Sequence, residues 1–300
     1  MDMIQNKCCR HGASLRRRRR RRRKILRSII FSCSIIAVAV FVAVGSSMIR
    51  SGDGRTNRYD VEAGNNTYDN AVIENSKISE KNKIQNNQSM LDDIMNSTQY
   101  PKQLKDLALK NEEALEFVYD YPAEHVKEHT IDLTEEASMD SVPLFVQWDK
   151  RWGYEKYSGN FFAASGCGPT TLSMVVVYLT HNRDASPIAV AKYSKEAGYS
   201  VDGSGSSWTL ISEGCRHYGV KAKTVALDES RMKAELDEGH PIVVNVGPGD
   251  FTDTGHFMVI TGYDDEGFSI NDPNSIEKSG KRWLFKNISS QIRAVWSMYV

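Results

Sequence analysis

Apolar positions change rhythm several times along this chain, and each rhythm predicts a different kind of structure. Ser28 to Ile49, "SIIFSCSIIAVAVFVAVGSSMI", carries no charged residue. Roughly 20 helical residues of that kind span the hydrocarbon core of a bilayer, so 28–49 is expected to be a transmembrane helix. From 50 to 90 large apolar groups thin out among Asn, Ser, Gly and charges. Such a stretch cannot bury enough surface to offset its ordering entropy, and it reads as a disordered stalk. A helical rhythm follows at 101–122, where Leu104, Leu107, Ala108, Leu115 and Val118 recur between Pro101 and Pro122. Residues 91–140 are expected to be a helical segment packing on the domain behind it.

Residues 141–300 read as one compact domain with its own core. Helices are predicted at "PTTLSMVVVYL", opened by Pro169, and at "PIAVAKYSKEAG", capped by Ser186 and stopped by Gly198. Two more are predicted at "SWTLISEGCRHYG", closed by Gly219, and at "ESRMKAELDEG". The runs "PIVVNV", "HFMVITGY", "FSIND", "RWLF" and "AVWSMYV" are short, apolar or alternating, and predict strands. Helices first and an antiparallel sheet second make an α+β fold. No internal repeat, no metal-type Cys/His spacing and no GxxxxGK[ST] loop is present in the sequence.

Charge alters this picture mainly at the N-terminus. Lys+Arg and Asp+Glu both number 38, for a formal net charge of +0, but they are unevenly placed. Residues 1–27 carry twelve basic side chains against one acid, Asp2, while residues 51–300 carry 25 basic and 37 acidic ones. "RRRRRRRRK", Arg16 to Lys24, directly precedes the apolar run, and basic flanks stay in the cytoplasm. The expectation is a cytoplasmic arm at 1–27, a single membrane pass, and everything after Arg50 on the extracytoplasmic side. A cleavable signal peptide would have a shorter apolar region, about 7–15 residues, so an uncleaved anchor is expected. The acidic excess of the large part speaks against nucleic acid as a partner.

Of five cysteines, Cys8 and Cys9 fall in the arm and Cys33 in the apolar run, which leaves Cys167 and Cys215 outside. Those two could form one disulfide. Cys167 has a chemical reading as well: it stands between Gly166 and Gly168 at the front of the helix opened by Pro169. Unpaired N–H groups and the helix dipole there favour a thiolate, the reactive form of cysteine. The flanking glycines would let the backbone turn sharply and leave the sulfur accessible.

A nucleophilic thiol needs a base, and the base an orienting partner. His11 lies in the arm, and His125 and His129 lie ahead of the main domain. His181 and His217 follow helical runs, and His240 stands in a turn before Pro241; all three read as surface residues. His256 instead opens an apolar strand, and "HFMVITGYDDEGFSINDP" reads as a hairpin turning at Asp264 to Gly267. With a three-residue loop, Asp272 would stand opposite Met258, on the face of His256; a loop one residue longer would put it on the other face. Asp264 and Asp265 are expected to serve the turn.

"GCGPTTLSMV", "GHFMVITGYD" and "INDP", in that order, resemble the peptidase C-39-like group of papain-fold cysteine peptidases, and "VPLFVQWDKRWG" is similar to the group's N-terminal signature. The resemblance covers roughly 141–300. It implies a papain-like fold with a helical lobe and an antiparallel β-sheet lobe, and no cofactor. It further implies Cys167 as nucleophile, His256 as general base, Asp272 as the residue orienting His256, and Gln147 as oxyanion donor. A peptide or protein substrate is expected. "YPKQLKDLALKNEEALEFVYDYP" also looks like the helical segment preceding such domains in Gram-positive surface proteins. Two alternatives remain on the same fold: an amidase or acyl transferase acting on cell-wall peptides, and a catalytically silent surface-binding module.

Overall fold

The computed structural model describes residues 66–300, and Ile73–Val300 form one compact unit. The basic arm at 1–27, the apolar run at 28–49 and the stalk residues 50–65 lie outside the described residues. Among the described residues no helix is long and apolar enough to cross a membrane.

Helix α1 (Asn66–Asn96) departs from the disordered stalk expected up to residue 90. Composition anticipates the exposure of this segment but not its backbone. Most of 79–89 faces solvent, with Ile84 61% exposed, and side-chain pairs one turn apart, such as Gln88 to Asp92 at 2.7 Å, support the helix. Among the described side chains, those of the last turns meet a core, through Met90, Leu91 and Ile94. Tertiary packing at that end fixes a helix that propensity alone would leave marginal.

Helix α2 (Lys102–Lys110) turns Leu104, Leu107 and Ala108 inward, as their spacing predicts. The chain then tightens into short turns at Glu112–Ala114, Leu115–Tyr119 and Tyr121–Glu124. Their apolar residues join Phe161 and Ala163 in one cluster, where Phe117 stacks on Tyr154 at 4.2 Å.

Helix α3 (Cys167–Thr180) begins two residues before Pro169 and is buried on every face from Gly168 to Val177. A helix apolar all round has to lie inside the molecule. Its hydroxyls are satisfied: Thr171 donates to the carbonyl of Phe257 at 3.1 Å and Ser173 to that of Ala185 at 2.6 Å. Helix α4 (Pro187–Glu196) starts where Ser186 accepts from the Ala189 N–H. "SWTLISEGCRHYG" divides into Thr209–Ser212 and a 3-10 turn at Gly214–Tyr218, ended by Gly219 at φ +74°. Helix α5 (Glu229–Asp237) is capped by Asp228.

The strands of the main sheet are β1 (Lys221–Thr224), β2 (Ile242–Val246), β3 (His256–Asp264), β4 (Gly267–Asn271), β5 (Arg282–Trp283) and β6 (Ile292–Tyr299). They form one six-stranded sheet in the order β1-β6-β2-β3-β4-β5, with antiparallel neighbours throughout. No apolar rhythm announces β1, "KAKT", a polar edge strand of the kind whose lysines discourage further pairing. Period two sorts the interior strands. Val243, Phe257 and Val259 face the cluster holding Leu172 and Val176 of α3, while Val244, Met258 and Ile260 face the cluster holding Met232 of α5. Both faces are covered, which is why all five residues of β2 are buried. The mixed helix and antiparallel-sheet architecture agrees with the α+β expectation.

Candidate active site

Cys167 is the first residue of α3, with Gly166 as its N-cap. The two glycines do a different job from the sharp turn expected of them. Gly166 has φ −85°, and neither it nor Gly168 has a positive φ. The constraint is space. A Cβ at Gly166 would lie 2.5 Å from the Phe162 ring, and one at Gly168 would lie 2.6 Å from Ser206 Oγ. Larger residues would push the start of α3 away from the walls that hold the thiol. The bond from Thr171 to the Phe257 carbonyl ties the first turns of α3 to the beginning of β3, where His256 stands.

The register of the β3–β4 hairpin places Asp272. The loop holds two residues, because Asp264 pairs with Gly267, one fewer than the three that would set Asp272 opposite Met258 in an unbroken register. Uninterrupted alternation from that turn would set Asp272 opposite Val259, on the face away from His256. Instead the register shifts between Ile260 and Gly262, so that Ile260 pairs with Ile270 and Val259 with Asn271. Thr261 is the extra residue. The bulge moves the next position, Asp272, level with Met258 and onto the side of His256. His256 Nε2 then lies 2.7 Å from Asp272 Oδ1, with both side chains buried. Asp272 Oδ1 also accepts from the Asn274 N–H at 2.8 Å. Asp264 serves the turn, accepting from the Glu266 N–H at 3.0 Å and from Arg282 at 2.7 Å.

With Nε2 committed to Asp272, Nδ1 is the ring nitrogen left for Cys167. Burial alone would raise the Cys167 thiol, but the hydrogen bond from His256, its charge, and the N–H groups of Phe257 and Gly168 outweigh it, so the thiol falls below its ordinary value. For His256, burial opposes the charged form, while the Asp272 carboxylate and the bonds to Asp272 and Cys167 favour it and raise the ring to about 10. The two shifts, thiol down and ring up, both work toward a thiolate beside an imidazolium, the charge state in which sulfur is nucleophilic.

Gln147 is 5% exposed, not the surface residue that a polar side chain next to Trp148 suggests. Its backbone N–H donates to the Pro273 carbonyl at 2.7 Å, which pins it beside the turn after Asp272. Its Nε2 donates to the Ala163 carbonyl at 2.7 Å and keeps a second hydrogen. Among the described residues, Gln147 Oε1 and Asp272 Oδ2 are the buried side-chain polar atoms without a hydrogen-bond partner. Unsatisfied buried groups are rare in folded chains, and here both belong to this one site.

Two recesses meet at Cys167. One, of about 480 Å³, is walled by α2 residues such as Asp106 and Lys110, by Gln147 and His256, and by the loop before β3. The other, of about 640 Å³, is walled by Gly203 to Ser206, Trp208, Gly247 and Arg293. Asn160, Ala164, Cys167, Thr254 and Gly255 line both. The thiol therefore sits on the seam of a continuous cleft.

The remaining candidates stay apart from it. Cys167 and Cys215 are both free thiols. Cys215 is fully buried, and burial pushes its thiol up to about 11. His217 stacks on Tyr193 at 4.0 Å, and His181 ends α3 at φ 57° with Nδ1 2.8 Å from the Ala137 carbonyl. His240 is partly buried against Glu235 at 3.2 Å, where a simple surface turn was expected. Among the described residues no three His, Cys, Asp or Glu side chains gather as a metal set. Sequence reasoning passed over Asn274 and the polar turn around it, although Ser275 ahead of "IEKS" carries the signature of a helix cap.

The model of the Peptidase_C39 like family matches residues 139–300. No curated protein sequence matches the chain. Among solved structures, the chain is similar to the peptidase domain of Streptococcus ComA, a bi-functional ABC transporter involved in a quorum sensing pathway. That match has 20% identity and a TM-score of 0.36, and covers 45% of this chain and 90% of the other. A second similarity is to a structure described as a C39-like peptidase from Bacillus anthracis, at 16% identity and a TM-score of 0.33, covering 56% of this chain and 97% of that one.

Proposed function

Since the chain belongs to the Peptidase_C39 like family through residues 139–300, we propose that it is a cysteine peptidase working through Cys167, His256 and Asp272, with Gln147 as an oxyanion donor. The observation that carries this reading is the commitment of His256 Nε2 to the buried Asp272 at 2.7 Å, which leaves Nδ1 to the lowered thiol of Cys167. The cleft supports a chain-like substrate, because recesses on both sides of Cys167 give room to residues before and after the scissile bond.

The Cys167 thiolate attacks the amide carbonyl carbon, and the carbonyl electrons move onto oxygen. The second Nε2 hydrogen of Gln147 and the Cys167 backbone N–H donate to that oxyanion. As it collapses, His256 gives its Nδ1 proton to the leaving amine and a thioester remains. His256, now neutral, takes a proton from water, whose oxygen attacks the thioester. The acid leaves, and the thiolate and imidazolium are restored. Throughout, Asp272 fixes the ring and stabilises its charged form.

The proposal extends to location: one pass at 28–49 behind the basic arm, with the domain on the extracytoplasmic side. It rests on the sequence order of Arg16–Lys24 and Ser28–Ile49.

The test compares the full chain with its Cys167→Ala variant on a peptide library and on purified peptidoglycan, with mass spectrometry of the enzyme during turnover. The expected result is cleaved peptide and a transient acyl adduct on Cys167, both absent from the variant. Cleavage that survives Cys167→Ala would overturn the thiol mechanism. Adduct formation with peptidoglycan alone would turn the reading to a cell-wall amidase or transferase.

A further inference from the structure

The turn that presents Asp272 is held from behind by residues that lie ahead of the family region. Asn111, just after α2, donates its side-chain N–H to the Asn274 carbonyl at 2.9 Å and to Asn274 Oδ1 at 3.1 Å. Glu113 accepts from the Ser275 hydroxyl, from the Ile276 N–H at 2.7 Å and from the Glu277 N–H at 3.1 Å. Asn111 and Glu113 are themselves linked, since the Glu113 N–H donates to Asn111 Oδ1 at 3.0 Å. These bonds join positions more than 160 residues apart in sequence.

What they hold is the catalytic geometry itself. The Asn274 N–H is one of the donors to Asp272 Oδ1, the oxygen that faces His256. Ser275 donates its N–H to the Asp272 carbonyl at 3.2 Å, and Ser279, on the short helix Ile276–Ser279, accepts from the Asp272 N–H at 2.9 Å. With Oδ2 unpartnered, the carboxylate is held through Oδ1 and through the turn behind it. The Trp148 Nε1–H also donates to the Asn274 carbonyl, at 3.2 Å, and Gln147 donates to Pro273. The Asn111–Glu113 clasp therefore bears on the turn that Gln147 and His256 both contact. Helix α2 runs directly into the clasp and walls one side of the cleft through Gln103, Asp106 and Lys110.

We propose that the helical segment ahead of the family region is a working part of the active site, with Glu113 and Asn111 acting as positioning residues for Asp272. They touch no reacting atom. They act by keeping the Asp272 carboxylate aimed at His256 Nε2, and through it the charge on the Cys167 thiol. This inference rests on the proposed Cys167–His256–Asp272 chemistry.

The test reads Cys167 itself, so that it needs no known substrate. In the full chain, iodoacetamide alkylation of Cys167 is followed against pH by mass spectrometry for wild type, Glu113→Ala, Glu113→Gln and Asp272→Asn, with melting temperatures recorded alongside. Glu113→Ala is expected to shift the acid limb of the alkylation profile upward, as Asp272→Asn does. A loss of about one pKa unit of pairing corresponds to roughly tenfold slower alkylation on that limb. Glu113→Gln keeps an acceptor oxygen and should recover part of the shift. In the Asp272→Asn background Glu113→Ala should add nothing, because it acts through Asp272.

A lower melting temperature with an unmoved profile would reduce Glu113 to a structural contact and overturn the inference, as would equal shifts in both backgrounds. If Glu113→Ala does not fold, Asn111→Ala carries the same comparison from the other arm of the clasp. Failure of the underlying reading looks different: wild-type Cys167 would then alkylate with an ordinary thiol profile that Asp272→Asn leaves unchanged. A wild type that cleaves no peptide, yet shows the shifted profile and its Glu113 dependence, supports the positioning role and refutes only the peptidase assignment.

Discussion

Cys167 and Cys215 share one hydrophobic cluster, the first packed against it and the second inside it, yet their thiols move in opposite directions. Cys215 sits on the 3-10 turn Gly214–Tyr218 with no hydrogen-bonding base beside it, and burial pushes it up to about 11. Cys167 meets the same penalty but also has His256, backed by Asp272, and the N–H groups of Phe257 and Gly168, and its thiol ends below the ordinary value. Burial is therefore not what makes a cysteine reactive. Oriented charge and donors at the sulfur decide which way each thiol moves.

The largest effect that bears on this comparison is expected from Gln147→Ala. Alkylation forms no oxyanion, so Cys167 should still react ahead of Cys215, while turnover falls by about 10²–10³-fold, the usual result of removing one oxyanion donor. Stopped-flow turnover and alkylation, measured separately, would show it; equal losses in both would mean that Gln147 shapes the thiol and not the oxyanion.

Asp272→Asn should erase part of the difference between the two thiols. In the wild type, activity against pH should rise as Cys167 loses its proton, below the ordinary thiol value, and fall as His256 loses its own near pH 10. Removing the carboxylate removes the main influence that raises His256, so the alkaline limb should move down toward the ordinary 6.5. The thiolate is then less stabilised and the acid limb moves up. The active window narrows from both sides, with turnover at its peak down by about tenfold, the consequence of roughly one unit of lost pairing. An unchanged alkaline limb would detach Asp272 from His256.

The smallest effect belongs to the other thiol. Cys215→Ala should leave the alkylation and turnover profiles alone and cost about 1 kcal/mol of stability from lost packing. Chemical denaturation would measure it, and a change in turnover would contradict the separation of the two cysteines.

Much of the fold was legible in the chain alone. Ser186–Pro187 and Gly198 marked α4, the apolar run after Cys167 marked α3, and "PIVVNV" and "HFMVITGY" marked β2 and β3. These are local signals, written in caps, turn residues and periods of 3.6 and 2. The misses were of another kind. The helix at 66–96 was hidden by a polar composition that describes exposure and not backbone, and β1 by a lack of apolar residues. Gly166 and Gly168 stood out in the sequence, but their reason lies in packing, against the Phe162 ring one turn back and the Ser206 side chain far along the chain.

The sequence by itself determined the parts: a cysteine at a helix start, a histidine opening a strand, an aspartate closing the hairpin, and a glutamine after a short apolar run. Only the tertiary structure decided that they meet. A strand alternates with period two, so one residue of register decides whether Asp272 faces His256 or turns away from it. Here that residue is Thr261, bulged to offset a loop one residue shorter than an unbroken register would need. Which residues brace the Asp272 turn was likewise invisible in the chain, because Asn111 and Glu113 reach it across more than 160 residues. Local chemistry selects an element's type and its ends. Register and long-range contacts are chosen by the packing of the whole molecule, where a bulge or a clasp is stable only because everything around it is already in place.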